Sequence, residues 1–370
     1  MREPISIGIV GIGYGQQVHA PAFRSDDRCR VVGICAGSKA RALEVANRLA
    51  IPRAYGDWRE MVADREIDAI SIAVPPTLQV PIVQAAAVAR KHVFCEKPVA
   101  PTAGQAREML DAVERAGVVH AVDFLFPEIA AWKRARELLH ERRLGSLYQV
   151  NLTWRVETYA VRANPHSWKL SREQGGGTLN NLVSHSFYYL EWLLGAIERI
   201  AARISPAGST DDLRIDLWLD FTGGVAGTMS VATDAFLGPG HRLEVYGDRG
   251  TLVLENRSSD HVSGFVLSMG TRANDSLSPI VTEVPREGQR DGRIEATAAI
   301  VRRFLDGIIV QQAVVPNLEA GLRVQELIER ARASAAAETW QVVPGTIARG
   351  GSSAPIRRTA GSTSEEGGQE

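Results

Sequence analysis

The sequence predicts an α/β chain of two differently built domains. The first, residues 1–123, is a doubly wound parallel sheet; the second, residues 124–344, is an α+β domain with a large, mostly antiparallel open-faced sheet. Three observations predict this. Up to residue 123, short apolar runs closed by glycine or proline alternate with segments of helical spacing, which is how buried parallel strands and crossover helices read. Beyond Phe124 the strand patterns become longer and alternate, as in an antiparallel sheet covered on one face. The 370 residues are enough for two cores.

Taken in order, residues 5–10 form a buried strand closed by Gly11, and 31–34 form the second; a short helix over 18–24 lies between them. The segment 41–50 has helical spacing and is stopped by Pro52, and 58–62 makes another short helix. A strand at 69–74 breaks at Pro75-Pro76, an alanine-rich helix covers 80–90, and a strand at 92–96 ends at Pro98. Thr102 is placed to cap a helix running to Arg115, which Gly117 ends before a last strand at 118–123. In the second domain a helix covers about 129–142. Strands follow at 147–156, 199–204, 215–222, 225–233, 242–246 and 251–254, interrupted by a helix at 182–194. Helices near 294–304 and 318–336 close the domain, and the Gly/Ser/Thr-rich stretch 345–370 reads as a disordered tail.

Composition excludes several functions. Hydrophobic residues make up 45% and charged residues 23%, the balance of a globular domain. A net charge of −1 leaves no footprint for nucleic acid or an anionic membrane. No apolar run approaches the roughly 20 residues of a membrane span, and the N-terminus lacks a signal-peptide layout. Cys29, Cys35 and Cys95 are scattered without metal-ligand spacing, so no metal is expected, and buried thiols in a reducing cytoplasm are. Of the 42 basic residues only Lys39, Lys91, Lys97, Lys133 and Lys169 are lysines. Lysine, unlike arginine, can lose its proton in a protein, so these positions weakly favour chemistry over plain charge.

The first strand runs into Gly11-Ile12-Gly13-Tyr14-Gly15. Glycines there let the backbone turn tightly and approach a dinucleotide pyrophosphate, as in a Rossmann domain. The pattern is imperfect, because position 16 is Gln16 and Gly15 comes one place early. An acid at the end of the second strand would hold the ribose of NAD. This chain has Cys35-Ala36-Gly37-Ser38-Lys39 with Arg41 beyond, so NADP is favoured over NAD, with Ser38, Lys39 and Arg41 as phosphate partners.

With that turn, Val93-Phe94-Cys95-Glu96-Lys97-Pro98 resembles the glucose–fructose oxidoreductase, inositol dehydrogenase and rhizopine-catabolism (Gfo/Idh/MocA) family. Ile70-Ser71-Ile72-Ala73-Val74-Pro75-Pro76 is similar to its strand ending at the nicotinamide. Gly175-Gly176-Gly177-Thr178-Leu179 with His185 is similar to its second-domain signature, and Trp168-Lys169 to its active-site loop. The resemblance implies that Val74, Pro75, Glu96, Lys97 and Trp168 join the cofactor site. It further implies that Lys97 and His185 serve hydride transfer to or from a sugar, cyclitol or related polyol, and that Glu96 orients Lys97. Lys97 must be partly desolvated to exchange a proton near neutrality.

Four positions depart from the family pattern: Asn181 for Asp, Asp123 for Asn, Tyr188 for Asp and Gln79 for His. An amide cannot take a proton, so Asn181 alters any relay, although it can hydrogen-bond a hydroxyl. Asp123, His166 and Asn181 join Lys97 and His185 as substrate candidates, with Tyr159 and Arg162 on the same loop as His166. His19 reads as a buried helix residue packed under the glycine turn. Two other functions fit the scaffold: a catalytically silent NAD(P) sensor, and a redox-neutral enzyme that retains its cofactor. The uncovered face of the second sheet is expected to be apolar and to find a partner in a homodimer or homotetramer.

Overall fold

The computed structural model describes residues 3–207, 210–258, 260, 262–274, 276–282 and 291–345. The tail expected at 345–370 lies outside them from residue 346 on. In the first domain the strands are β1 (Ile5–Val10), β2 (Cys29–Cys35), β3 (Arg53–Tyr55), β4 (Ala69–Ile72), β5 (His92–Cys95) and β6 (His120–Val122). They pair in the order β3-β2-β1-β4-β5-β6, all parallel. This order reverses direction between β1 and β4, and a dinucleotide binds at such a switch point in a doubly wound sheet.

The crossover helices are α1 (Ala20–Arg24), α2 (Lys39–Leu49), α3 (Trp58–Ala63), α4 (Pro76–Val88) and α5 (Ala103–Ala116). Thr102 caps α5 as expected, its Oγ1 accepting from the Gln105 amide at 3.2 Å, and Gly117 closes the helix in the left-handed region. Helix α4 begins earlier than the sequence suggested. Pro76 sits in its first turn, where the missing N–H has no helical partner anyway. Strand β3 was not foreseen, because three residues are too few to show a period.

The second domain contains α6 (Ala130–His140), β7 (Leu147–Arg155), α7 (Tyr159–Ala163) and α8 (Ser184–Leu194). Strands β8 (Ile197–Ala207), β9 (Thr210–Phe221), β10 (Ala226–Ala232), β11 (Gly240–Gly247), β12 (Gly250–Asn256), β13 (Val266–Thr271) and β14 (Ser278–Ile280) follow. Then come α9 (Gly292–Val310), α10 (Leu318–Ala337) and β15 (Gln341–Val342). Among the described residues the sheet order is β14-β13-β12-β11-β7-β10-β9-β8-β15, antiparallel except between β7 and β10.

One face of this sheet carries the core: Leu213, Ile215, Leu217, Leu219 and Phe221 of β9 are all buried. The other face is not the apolar surface the sequence suggested. Ser230 donates to Asp216 at 2.7 Å, Thr228 to Asn151 at 2.8 Å, and Arg242 pairs with Glu255 at 2.7 Å. Trp218 and Tyr148 stand among these groups, each nearly half exposed.

The last helices return to the first domain. Helix α9 packs on α1, with Phe304 edge-on to Phe94 at 5.7 Å, and α10 packs on both α5 and β8. The Val122 amide donates to the Pro316 carbonyl at 3.0 Å. The cleft between the halves is thus held from behind by two helices that belong to both.

Candidate active site

The glycine turn shows why each glycine is there. Gly11 has φ +111°, and a Cβ on it would lie 2.2 Å from the Ala73 carbonyl oxygen beyond β4. Gly13 faces open space, so a ligand can approach its backbone. A Cβ on Gly15 would meet the Ile9 side chain at 2.9 Å, so Gly15 provides the close helix-to-strand packing normally left to a glycine one place later. The chain then makes a wide π turn, Gly15–His19, before α1. The backbone thus leaves room for a dinucleotide beside Gly11, Ile12, Gly13, Tyr14 and Gly15, with Val74 and Pro75 just beyond the end of β4.

At the end of β2, Ala36 is buried and no acid is present. Ser38 caps α2, its Oγ accepting from the Arg41 amide at 3.4 Å. Lys39 turns back onto the Ala54 carbonyl and lies 5.7 Å from the centre of the Tyr55 ring, while Arg41 is exposed.

Lys97 follows β5 and reaches across the cleft, its ammonium donating to the Asn181 carbonyl at 3.0 Å. That carbonyl lies in a second π turn, Leu179–Val183, which leads directly into α8 and His185. The glycines before it make the approach possible. A Cβ on Gly175 would strike Pro76 of α4 at 2.7 Å, and one on Gly176 would strike the Trp168 carbonyl at 2.2 Å. Asn181 donates its side-chain amide to the Lys169 carbonyl at 2.8 Å, which ties this turn to the Trp168–Leu170 turn. Buried Asp212 supports the turn from below by accepting from the Thr178 amide at 2.9 Å.

Burial lowers the Lys97 pKa to about 8, against the pull of Glu96 and with help from Lys169. Lys169 is also held below the usual lysine range, by desolvation and by Arg293. His185 is 8% exposed and packs edge-on against Phe126 at 4.9 Å between ring centres, which fixes its ring plane.

Several expected site residues lie elsewhere. Asp123, expected to touch substrate, is fully buried: Thr297 donates to it at 2.8 Å, and His19 lies 3.6 Å away. It cannot meet a ligand in the cleft. His166 is exposed on the loop before Trp168, and Arg162 and Tyr159, both on α7, are exposed, Tyr159 by 67%. Gln79 is buried, donating to the Pro98 carbonyl at 2.8 Å, so it braces the lysine loop. Tyr188 stacks on Phe124 at 4.3 Å.

Sequence reading missed Arg293 of α9, which lies 5.2 Å from the centre of the Tyr14 ring. His19 is buried beside the glycine turn as expected, and its cluster with Glu96 and Asp123 was not foreseen. Of the five lysines, Lys39 and Lys91 bind carbonyls of the first domain and Lys133 pairs with Glu128, whereas Lys97 reaches the Asn181 carbonyl of the second domain and Lys169 lies on the turn tied to Asn181.

A parallel, doubly wound sheet with a glycine turn after its first strand, joined to a second α/β domain, is the architecture of a nicotinamide-dependent oxidoreductase. The chain belongs to the Gfo/Idh/MocA family: the model described as "Oxidoreductase family, NAD-binding Rossmann fold" matches residues 5–124, and its "C-terminal alpha/beta domain" companion matches 136–343. An uncharacterized oxidoreductase of Synechocystis sp. is 30% identical over 363 residues, covering 92% of this chain and 96% of that one. Levoglucosan dehydrogenase of Pseudarthrobacter phenanthrenivorans is 24% identical over 392 residues, covering 92% and 99%. A solved structure titled levoglucosan dehydrogenase, in complex with NADH and levoglucosan, is 23% identical with a TM-score of 0.84, covering 93% and 100%, and shares the fold. Among the described residues no helix is long and apolar enough to cross a membrane.

Proposed function

We propose that the protein transfers a hydride between the nicotinamide and a secondary alcohol or ketone of a sugar, cyclitol or related polyol, with Lys97 moving the hydroxyl proton. The observation that carries this is the position of Lys97: half-buried, reaching from the first domain onto the Asn181 carbonyl, with a pKa of about 8. A group titrating there can take and return a proton near neutral pH. The bound nicotinamide supplies the hydride acceptor or donor. Lys97 accepts the hydroxyl proton at Nζ during oxidation and returns it during reduction. His185, its ring fixed against Phe126, orients the substrate oxygen, while Asn181 holds the Trp168 loop over the cleft. A panel of levoglucosan, hexoses, myo-inositol and their ketones, followed by nicotinamide absorbance, tests the substrate class. Turnover of a polyol supports it, and cofactor binding with no hydride transfer to any of them would favour a sensor.

The cofactor reading is NADP over NAD, supported by the missing acid at Ala36 and the exposed Arg41; Lys39, engaged with Ala54, contributes less. Calorimetry on both nucleotides should give the lower Kd for NADP, and Ala36→Asp should move preference toward NAD by repelling the 2′-phosphate. Tighter NAD binding by the unaltered protein would contradict this reading.

We also propose a homodimer, or a homotetramer of dimers, formed through the uncovered face of the second sheet. Trp218 and Tyr148 offer apolar anchors there within a polar, ion-paired surround. Light scattering at micromolar concentration should give at least twice the chain mass. A monomer would contradict the proposal. The buried thiols, pushed up to about 12 for Cys29 and Cys35, suit a reducing cytoplasm.

A further inference from the structure

Under the cleft floor lies a charged cluster that proton transfer by Lys97 does not by itself require. His19 is fully buried, and its Nδ1 lies 2.8 Å from the Ser71 hydroxyl of β4. Its Nε2 points between two carboxylates, Glu96 at 3.7 Å and Asp123 at 3.6 Å. Tyr14 and Phe94 pack edge-on to its ring at 5.3 and 5.2 Å, so water is kept away. Two carboxylates confined in this way repel each other unless one holds a proton or a cation stands between them; burial and Asp123 raise the Glu96 pKa, the His19 contact opposes that rise, and Nε2 of a protonated His19 is the group placed to be the cation. Burial opposes a charge on His19, but Asp123 and Glu96 outweigh it and raise its pKa to about 9.

We propose that His19 is a positioning residue for Lys97: a buried imidazolium between Glu96 and Asp123 that shields the lysine from both carboxylates, so the lysine can give up its proton. Glu96 precedes Lys97 in the chain, and Glu96 and Asp123 both favour the charged lysine. Without the imidazolium their combined pull would be stronger, and Lys97 would hold its proton to higher pH. The other groups facing the cluster do not replace it. Tyr14 is held neutral, its pKa raised by burial and the same two carboxylates; Thr297 of α9 carries no charge; and Arg293 of α9 is engaged by Asp291 at 2.6 Å. Lys169 stands on the cleft side, with its ammonium pushed toward neutrality.

The inference rests on Lys97 as the proton-moving group, and its test separates the two. The pH profile of single-turnover oxidation is measured for the unaltered protein, His19→Asn, the double variant His19→Asn/Asp123→Asn and Lys97→Met, using the best substrate of the polyol panel. His19→Asn should move the acid limb up by about one to two pH units, the effect of losing one nearby charge, with nucleotide Kd unchanged. The double variant, which removes one positive and one negative charge, should bring the limb back toward its original position. A limb that stays put in His19→Asn, while Lys97→Met is still inactive, would overturn the inference and leave the Lys97 reading intact. Should His19→Asn fail to fold, ring ¹⁵N spectra of the unaltered protein at pH 8 decide. A slowly exchanging, doubly protonated buried imidazole supports the inference; only neutral rings, or a ring that binds added Zn²⁺, overturn it.

Discussion

Lys97→Met should abolish most hydride transfer while leaving the nucleotide bound. Methionine keeps the length and apolar stem of lysine but has neither charge nor donor, so the contact with the Asn181 carbonyl is lost and the shape of the cleft is kept. The glycine turn from Gly11 to Gly15, proposed to hold the dinucleotide, is untouched. A positioned acid–base group contributes on the order of 10²–10⁴-fold, so single-turnover transfer at saturating cofactor should fall by that factor, with nucleotide Kd nearly unchanged. His185→Ala should also slow transfer, less steeply, since the proposed part of His185 is to orient the substrate rather than to move its proton. An unchanged rate in Lys97→Met would remove the proposed mechanism and bring the sensor function forward.

The largest effect on stability is expected at Arg323 of α10. Its guanidinium donates to the Glu191 carboxylate of α8 at 2.7 Å, to the Ile197 carbonyl at 2.9 Å and to the Pro344 carbonyl at 2.9 Å. Arg323 is 8% exposed, so this one side chain ties α8, the start of β8 and the C-terminal end of the domain together in a nearly dry setting. Arg323→Met leaves the Ile197 and Pro344 carbonyls without this donor and leaves the Glu191 carboxylate, 18% exposed, with the Ile197 amide at 2.9 Å as its remaining donor. Removing one partner of such a partly buried, charged hydrogen-bonded pair costs about 1–3 kcal/mol. The urea midpoint should drop accordingly, and the double variant Arg323→Met/Glu191→Leu should recover a large part of the loss. A change below about 1 kcal/mol in the single variant would show that the pair is not desolvated as described.

Much of the fold was legible because its signals are local. Ile5–Val10 ending at Gly11, Ala69–Ile72 ending before Pro75-Pro76, and the Thr102 to Gly117 helix each carry their own punctuation. Short edge elements such as Arg53–Tyr55 and Gln341–Val342 carry none, and depend on a neighbouring strand for their pairing. The meeting of Lys97 with the Asn181 turn could be anticipated from two motifs, although only packing brings them together across 84 positions. The role of Asp123 was not legible. Its carboxylate is taken by Thr297, 174 residues away, and by His19, and no spacing announces such a contact. The Lys39 contact was not legible for a similar reason: its neighbour at Ala54 belongs to a strand the sequence did not reveal.

If Lys97 moves the substrate proton, the pH dependence of single-turnover hydride transfer in the unaltered protein shows it without any substitution. Burial lowers the lysine toward neutrality, so it is protonated below about pH 8 and neutral above. Oxidation of the alcohol needs the neutral amine and should rise through that pH; reduction of the ketone needs the ammonium and should fall through it. Two opposed limbs are expected, both near pH 8 and both absent from the residual rate of Lys97→Met. Limbs that persist unchanged in Lys97→Met, or rates that do not vary between pH 6 and pH 10, would contradict this.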